Sequence, residues 1–222
     1  MIRHEVLANN QIYHIFNRGV DKKIVFFDKR DYSHALETIN YYRFLDPPLR
    51  FSHFLQLNIK NQSVSMSQLE SSAKLVKIIA FCLMPNHYHL ILKQENDDGI
   101  SKFISIFQNS YVKYVNLKHQ RIGPLFQGPF KSVRVVSNEQ LLHLSRYIHL
   151  NPINAFLIKP KNLDSYQWSS YAHYVGDQQI PMVENDLIFE QFADKNEYRA
   201  FTEDVIEQQN IDLIRHLTFV ET

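Results

Sequence analysis

Two apolar segments separated by three residues constrain the fold of this chain more than any other feature of its sequence. The segments are residues 75–83 (LVKIIAFCL) and 87–93 (HYHLILK), and Met84-Pro85-Asn86 lies between them. Pro followed by Asn suits the central positions of a tight turn. The pattern therefore predicts two strands that form an antiparallel hairpin.

Four further elements surround this hairpin in an order that indicates the fold class. Two are strands at 11–17 (QIYHIFN) and 130–136, and two are helices at about 28–45 and 98–117. The resulting order, β-α-β-β-α-β, is that of an α+β, ferredoxin-like domain, in which helices cover one face of an antiparallel sheet.

The rest of the chain adds an insertion and a further helix to this core. Residues 46–73 lie between predicted elements, and their Ser-rich part (SVSMSQLESSAK) is typical of an exposed loop. After the last strand, Asn138 can cap a helix over 139–150 that ends at Pro152.

Charge divides the chain into two parts. Residues 1–174 hold 21 Lys/Arg and 12 Asp/Glu (net +9), whereas 175–222 hold 3 and 11 (net −8). We therefore predict a basic domain over 1–174 and an acidic extension over 175–222, helical from about 187 to 217. No acid occurs from Gly99 to Asn138, and a basic surface of this kind attracts nucleic acid. Alternatively, the basic face is a solvated surface whose charges the acidic extension balances. The extension itself is either a packed C-terminal cover or a competitor of DNA for the basic face.

Several classes of protein are excluded or disfavoured by composition. No segment reaches the roughly 20 apolar residues that cross a bilayer, the N-terminus lacks a secretory apolar region, and Cys82 is the only cysteine. We expect a cytoplasmic protein without a membrane partner. Motifs of the types GxSxG, GxGxxG, HExxH and the phosphate-binding P-loop are absent.

His87-Tyr88-His89 is the first candidate site. Side chains alternate along a strand, so the two histidines share one face and can bind one divalent ion. Imidazole favours Mn, Zn, Co or Ni over Mg. The same pair is also compatible with two purely structural histidines.

Tyr147 and Asn151 form the second candidate site, because residues four apart share one face of a helix. The amide oxygen of Asn151 can supply a third ligand, and a tyrosine beside a metal-polarised phosphate can attack phosphorus. In the alternative, Tyr147 is a core aromatic residue and Asn151 ends the helix. Tyr111 and Tyr114 are competing nucleophiles, although neither is followed by Asn or Gln four residues later.

These motifs resemble those of a known family. MPNHYHLIL at 84–92 is similar to the HUH motif of single-tyrosine transposases of the IS200/IS605 type. A closer resemblance, to the REP-associated tyrosine transposases, spans roughly 11–174 and rests on NRG at 17–19, GPLFQGPFKS at 123–132, RYIHLNPI at 146–153 and WSSY at 168–171.

The resemblance implies a metal-dependent transposase of single-stranded DNA that carries a hairpin. It places a divalent metal, Mg or Mn, on His87, His89 and Asn151, and it makes Tyr147 the nucleophile that forms a 5′-phosphotyrosine without ATP. A nucleoid-associated location follows from this activity. A homodimer is possible, but the 46–73 insertion leaves its geometry open.

DNA contacts are assigned to five residues. Arg18, Lys131, Arg134 and Arg146 can bind backbone phosphates, and Trp168 can stack on an unpaired base. Each arginine or lysine is equally compatible with a plain surface cation, and Trp168 with core packing.

Three rival functions remain open. One is a ferredoxin-like RNA-binding module, although no run of the type K/R-G-F-x-F is present. Another is a domesticated hairpin-DNA binder that no longer cleaves. The third is a two-histidine (2H) phosphodiesterase, for which His143-Leu144-Ser145 and His216-Leu217-Thr218 match the required pattern but fall in predicted helices.

Overall fold

An antiparallel four-stranded sheet forms the centre of the computed structural model, which describes residues 6–176 and 178–204. Its strands lie in the order β2-β3-β1-β4, and each neighbouring pair is antiparallel. They are β1 (Ile12–Arg18), β2 (Val76–Met84), β3 (His87–Gln94) and β4 (Lys131–Val135). This topology confirms the ferredoxin-like prediction, with the predicted hairpin formed by β2 and β3.

Helices fill the connections of this sheet and the chain beyond it. The α-helices of the described residues are α1 (Lys29–Tyr42), α2 (Phe51–Phe54), α3 (Ile59–Glu70), α4 (Gly99–Lys118), α5 (Asn138–Asn154), α6 (Tyr171–Val175), α7 (Asp186–Phe189) and α8 (Lys195–Glu203). None of these helices is long and apolar enough to cross a membrane.

The two faces of the sheet are covered by different helices. Tyr88 points toward α4, where its hydroxyl accepts a hydrogen bond from Gln108 Nε2 at 2.8 Å, and α1 packs beside α4. His89, the next residue of β3, points to the opposite face, where its ring lies 5.8 Å from that of Tyr147 on α5. We call this second side the histidine face. The crossover helices therefore cover one face, as predicted, and α5 covers the other.

The insertion is helical where the sequence suggested a loop. Asn58 caps α3 by accepting a hydrogen bond from the Asn61 backbone, and Ser65 and Leu69 are buried. Serine is a moderate helix former. The Asn58 cap and the packing of Ser65 and Leu69, one turn apart, stabilise the helix despite its many serines. The prediction of a loop over this segment was wrong, although most residues of α3 are exposed, as predicted.

The ends of α5 also differ from the prediction. Ser137, rather than Asn138, caps the helix by accepting a hydrogen bond from the Gln140 backbone. The helix continues through Pro152 to Asn154, because a proline in the last turn removes only one backbone hydrogen bond.

The described part of the C-terminal extension forms the short helices α7 and α8 instead of one long helix. Residues 205–222 lie outside the described residues, as do the end of the predicted helix and the motif at 216–218. Backbone hydrogen bonds also attach the chain after α5 to the outer edge of β2. They join Leu83 N to the Trp168 carbonyl at 2.8 Å, Ser170 N to the Phe81 carbonyl at 3.0 Å and Glu184 N to the Ile78 carbonyl at 2.8 Å.

Candidate active site

Three segments far apart in sequence meet where β1 ends and β3 begins. Arg18 at the end of β1 pairs with His87 at the start of β3. The loop before β4 joins them, because Gln127 N donates to the Arg18 carbonyl at 2.8 Å and Asn17 Nδ2 donates to the Gly128 carbonyl at 3.1 Å. These contacts bring NRG, the histidine motif and GPLFQGPFKS together.

Gly19 makes this junction possible. Its backbone N–H donates to the Asn86 carbonyl at 2.8 Å. A Cβ atom at position 19 would lie 2.1 Å from the Lys23 carbonyl oxygen, so no other residue fits without a backbone shift. The β1 end is thereby fixed against the turn that precedes His87.

The two histidines of β3 lie side by side on the histidine face. Their ring centroids are 5.0 Å apart and the rings are nearly perpendicular, at 89°. His89 is buried and His87 half-buried. This confirms that the strand alternation places both imidazoles on one face.

Both imidazoles are held in the neutral form. Burial and the positive charge of Arg18 lower the pKa of His87 to about 4, against an opposing effect of a hydrogen bond with the Asn151 side chain. Burial lowers the pKa of His89 well below its usual range, and the neighbouring His87, His14 and Arg18 lower it further. Neutral imidazole is the form that binds a metal ion.

A neighbouring side chain determines which nitrogen of His87 carries the proton. The Nδ1 atom lies 2.6 Å from Asn86 Oδ1, and an amide oxygen can only accept a hydrogen bond. His87 therefore carries its proton on Nδ1, and its Nε2 has a lone pair available for a ligand. Asn86 itself is anchored by a 3.0 Å hydrogen bond from its Nδ2 to the Lys22 carbonyl.

Helix α5 brings Tyr147 and Asn151 to the same two histidines. Tyr147 is half-buried and meets His89 edge-on, at an angle of 86° between the rings. Asn151 Nδ2 donates to the Tyr147 carbonyl at 2.9 Å, which leaves Oδ1 as the atom that can bind a metal. The donor set, two neutral imidazoles and one amide oxygen, fits a divalent ion.

The competing tyrosines lie on the other side of the sheet, on α4. Tyr111 is buried, and its hydroxyl donates to the Val25 carbonyl at 2.8 Å; burial raises its pKa. The ring of Tyr114 stacks on His34 at 3.7 Å. Neither tyrosine is near His87 or His89.

The predicted DNA-contact residues are distributed unevenly around this site. Arg18 lies beside the histidines, and Lys131 is exposed and pairs with Phe16 on the histidine face. Arg134 pairs with Tyr13 and so lies on the opposite face. Trp168 stacks on Tyr32 of α1 at 4.6 Å, also away from the histidines.

Arg146 is engaged by the C-terminal extension. Its guanidinium lies 4.4 Å from the centre of the Phe201 ring and donates to the Phe201 carbonyl at 3.2 Å and to His143 Nδ1 at 2.6 Å. Contact with a DNA phosphate would require Arg146 to leave these partners.

Sequence reasoning missed three groups next to the site. His14 on β1 lies against His89, and Asn86 fixes His87. His149, two residues after Tyr147, is fully buried, and its Nδ1 lies 2.7 Å from the Tyr198 hydroxyl of α8. Side-chain alternation along β1 places His14 and Arg18 on one face of that strand. Their partners on β3, however, depend on the strand register.

A second group of potential metal ligands occurs between α1 and α4. Asp28, Asp31 and His119 lie within 4.8 Å of one another. Lys118 already lies between the two carboxylates, 2.8 Å from Asp28 Oδ2 and 2.6 Å from Asp31 Oδ1. The ammonium group occupies the position that a cation would take, so this group joins the two helices.

Known proteins resemble the chain both in sequence and in fold. Residues 48–151 match the family described as transposase IS200 like. This stretch, slightly less than half of the chain, is therefore similar to the IS200-like transposases. Its limits include His87, His89, Tyr147 and Asn151, whereas β1 and the C-terminal extension lie outside them.

The fold of the chain is similar to that of a solved structure, a REP-associated tyrosine transposase bound to a REP hairpin. The similarity covers 83% of this chain and 97% of the other, with a TM-score of 0.54 and 14% sequence identity. At this identity the similarity establishes the fold. No curated protein matches the chain. The predicted resemblance to the IS200/IS605 family is confirmed.

Proposed function

We propose that this protein is an IS200-like transposase that cuts and rejoins single-stranded DNA next to a hairpin, through a covalent bond to Tyr147. One arrangement supports this function above all others. The helix that presents Tyr147 at 5.8 Å from His89 also carries Asn151 into contact with His87. A nucleophile and three potential metal ligands thus share one face of the sheet.

A divalent metal ion, Mg or Mn, is the expected cofactor. His87 Nε2, His89 Nε2 and Asn151 Oδ1 would hold it, since all three can present lone pairs on the histidine face. When bound, such an ion polarises a phosphate and stabilises charge on its oxygens.

Tyr147 then acts as the nucleophile. Its phenol loses a proton and its oxygen bonds to phosphorus, while the bond from phosphorus to the 3′ oxygen breaks and that oxygen leaves as a 3′-hydroxyl. One ester replaces another, so the step requires no ATP. Attack of a 3′-hydroxyl on the phosphotyrosine reverses the reaction and rejoins DNA.

Charge at the edge of the histidine face is consistent with a DNA substrate. Arg18 stands beside the histidines, and Lys131 is exposed on β4. Cations of this kind position a phosphate backbone without reading its bases. The structurally similar transposase is bound to a REP hairpin, which supports a hairpin as the recognised element here.

The decisive experiment traps the covalent intermediate. The full chain is incubated with Mn²⁺ and a hairpin-bearing single strand labelled at its 3′ end, and the label is expected to migrate with the protein under denaturing conditions. Tyr147→Phe should form no adduct while still binding DNA, because only the attacking oxygen is lost. His87→Ala should lose metal-dependent cleavage.

Tyr114→Phe is the matched control, and it should form the adduct normally. An adduct that persists in Tyr147→Phe, or that maps to Tyr111 or Tyr114, would contradict the assignment. Hairpin binding by the wild-type chain without any adduct would favour the non-cleaving DNA binder.

A further inference from the structure

A third histidine lies next to the metal-ligand candidates without belonging to them. His14 is in the middle of β1 on the histidine face and is 0% exposed. Its Nε2 atom lies 2.9 Å from His89 Nδ1, and the two rings are stacked with centroids 5.1 Å apart and an angle of 20°.

The hydrogen bond between the two rings can run in either direction, and the directions have opposite consequences. If His14 Nε2–H donates, His89 accepts at Nδ1 and must carry its own proton on Nε2, where it blocks a metal. If His89 Nδ1–H donates, His89 Nε2 keeps its lone pair. Only the second arrangement permits His89 to act as a ligand.

We propose that His14 is a positioning residue that accepts the Nδ1 proton of His89 and thereby presents His89 Nε2 to the metal. This inference rests on the proposed function. His14 does for His89 what Asn86 does for His87, whose Nδ1 donates to Asn86 Oδ1 at 2.6 Å. In both His87 and His89, the Nδ1–H thus donates a hydrogen bond to a neighbouring side chain while Nε2 faces the metal. Such hydrogen bonds orient metal-binding histidines.

The geometry disfavours two other roles for His14. His14 Nε2 is not placed to act as a third metal ligand, because that atom is turned toward His89 Nδ1 at hydrogen-bond distance. As a simple packing residue it would be a costly choice, because a buried polar ring is unfavourable unless it is hydrogen-bonded. The ring also packs on Phe16, at 4.6 Å between centroids, and an apolar side chain would make that contact equally well.

Two substitutions distinguish a positioning role from a packing role, because the two roles predict opposite orders of metal affinity for the variants. His14→Gln keeps an oxygen near the position of Nε2 but loses the ring. His14→Phe keeps the ring and loses the acceptor. If His14 positions His89, the His14→Gln variant should bind metal almost as well as the wild type, whereas the His14→Phe variant should lose about 10- to 100-fold in affinity.

The experiment uses Co²⁺ alone as the probe and the full chain without DNA. Titration calorimetry gives the affinities, and nitrogen–proton correlation spectra of the metal-free protein identify the tautomer of His89. We expect the Nδ1–H tautomer in the wild type and in His14→Gln, and its loss in His14→Phe.

Each result bears on one of two separate conclusions. An Nε2–H tautomer of His89 in the wild type, or a Phe variant that matches the wild type in both tautomer and affinity, would overturn the role of His14. If the wild type has the Nδ1–H tautomer but binds no Co²⁺, the positioning hydrogen bond stands and the proposed metal function fails.

Discussion

Replacing Tyr198 by Phe should destabilise the protein more than the loss of one hydroxyl group normally does. Tyr198, on α8, is 0% exposed, and its hydroxyl links two residues of α5. It donates to Ser145 Oγ at 3.0 Å and accepts from His149 Nδ1 at 2.7 Å. His149 Nε2 in turn lies 2.8 Å from Ser170 Oγ, which accepts from the Phe81 backbone of β2 at 2.9 Å.

These contacts form one hydrogen-bond network in which every donor and acceptor can be assigned consistently. The Ser170 hydroxyl donates to His149 Nε2, His149 Nδ1–H donates to Tyr198, and Tyr198 donates to Ser145, whose hydroxyl donates to the Leu142 carbonyl at 2.8 Å. Burial lowers the pKa of His149 to about 3, so the ring carries one proton at neutral pH. Each of the four side chains in this network therefore has a hydrogen-bond partner.

The expected loss of unfolding free energy follows from what Phe removes. The Tyr198–Ser145 hydrogen bond is worth about 1 kcal/mol, and leaving the buried His149 N–H without an acceptor costs about 1–3 kcal/mol more. The ring of Phe keeps the packing, so no cavity forms. A total of about 3 kcal/mol corresponds to a fall in Tm of about 6–12 °C for a chain of this size.

Urea unfolding of the wild type and variants measures this loss, with an unchanged dependence on urea as the sign of intact folding. Tyr174→Phe is the matched control: Tyr174 packs against Tyr198 at 4.8 Å, and its hydroxyl makes one hydrogen bond, to the Ile79 carbonyl at 2.8 Å. We expect about 1–2 kcal/mol there, because one hydrogen bond is lost and the Ile79 carbonyl loses this donor. If Tyr198→Phe lowers the free energy of unfolding by no more than Tyr174→Phe does, the proposed hydrogen-bond network is refuted.

Three further predictions concern acid, backbone strain and salt. Burial raises the pKa of Asp31, but hydrogen bonds from Lys118 and His119 outweigh this effect, so the pKa is lowered overall. The ionised Asp31 carboxylate therefore stabilises the fold above about pH 4. This stabilisation is lost as the pH falls through the lowered pKa. Asp31→Asn should cost about 3 kcal/mol at pH 7, and a loss that stays equally large at pH 2 would contradict this. Phe156 is 94% exposed at φ 55°, so Phe156→Gly should stabilise the fold by about 0.5–1 kcal/mol in thermal unfolding, and any destabilisation would count against strain at this position. Affinity for single-stranded DNA should fall steeply with salt, and Lys131→Ala should reduce the logarithmic slope by about 1, whereas Arg134→Ala, on the opposite face, should leave it unchanged.

Local periodicity was sufficient to predict the parts of the site that lie on one element. The alternation of strand side chains placed His87 and His89 on one face, and the helical spacing of Tyr147 and Asn151 placed those two together. The contact between the two pairs follows from the fold, because α5 crosses the face of the sheet that the crossover helices leave open. A sequence that indicates the fold therefore indicates this part of the site.

Contacts set by register and by long-range packing could not be predicted in the same way. His14 meets His89 because β1 pairs with β3 in one register, with Phe16 opposite His89, and a shift of one residue would turn His14 to the other face. Likewise, the sequence predicted that Arg146 contacts a phosphate or is a plain surface cation. Its actual partner, Phe201, is 55 residues away, and no local pattern indicates such a contact.

The covered edge of β2 has a consequence for self-association. A strand at the edge of a sheet can pair with another chain and start aggregation, and β2 is almost entirely apolar (VKIIAFCLM). In the described residues its outer edge is occupied by hydrogen bonds from Trp168, Ser170 and Glu184. The opposite edge, β4, exposes Lys131 and Arg134, whose like charges repel a second copy. A dimer built by joining sheets would therefore meet an occupied edge at β2 and a charged edge at β4. The segments that follow α5 cover the apolar edge strand β2.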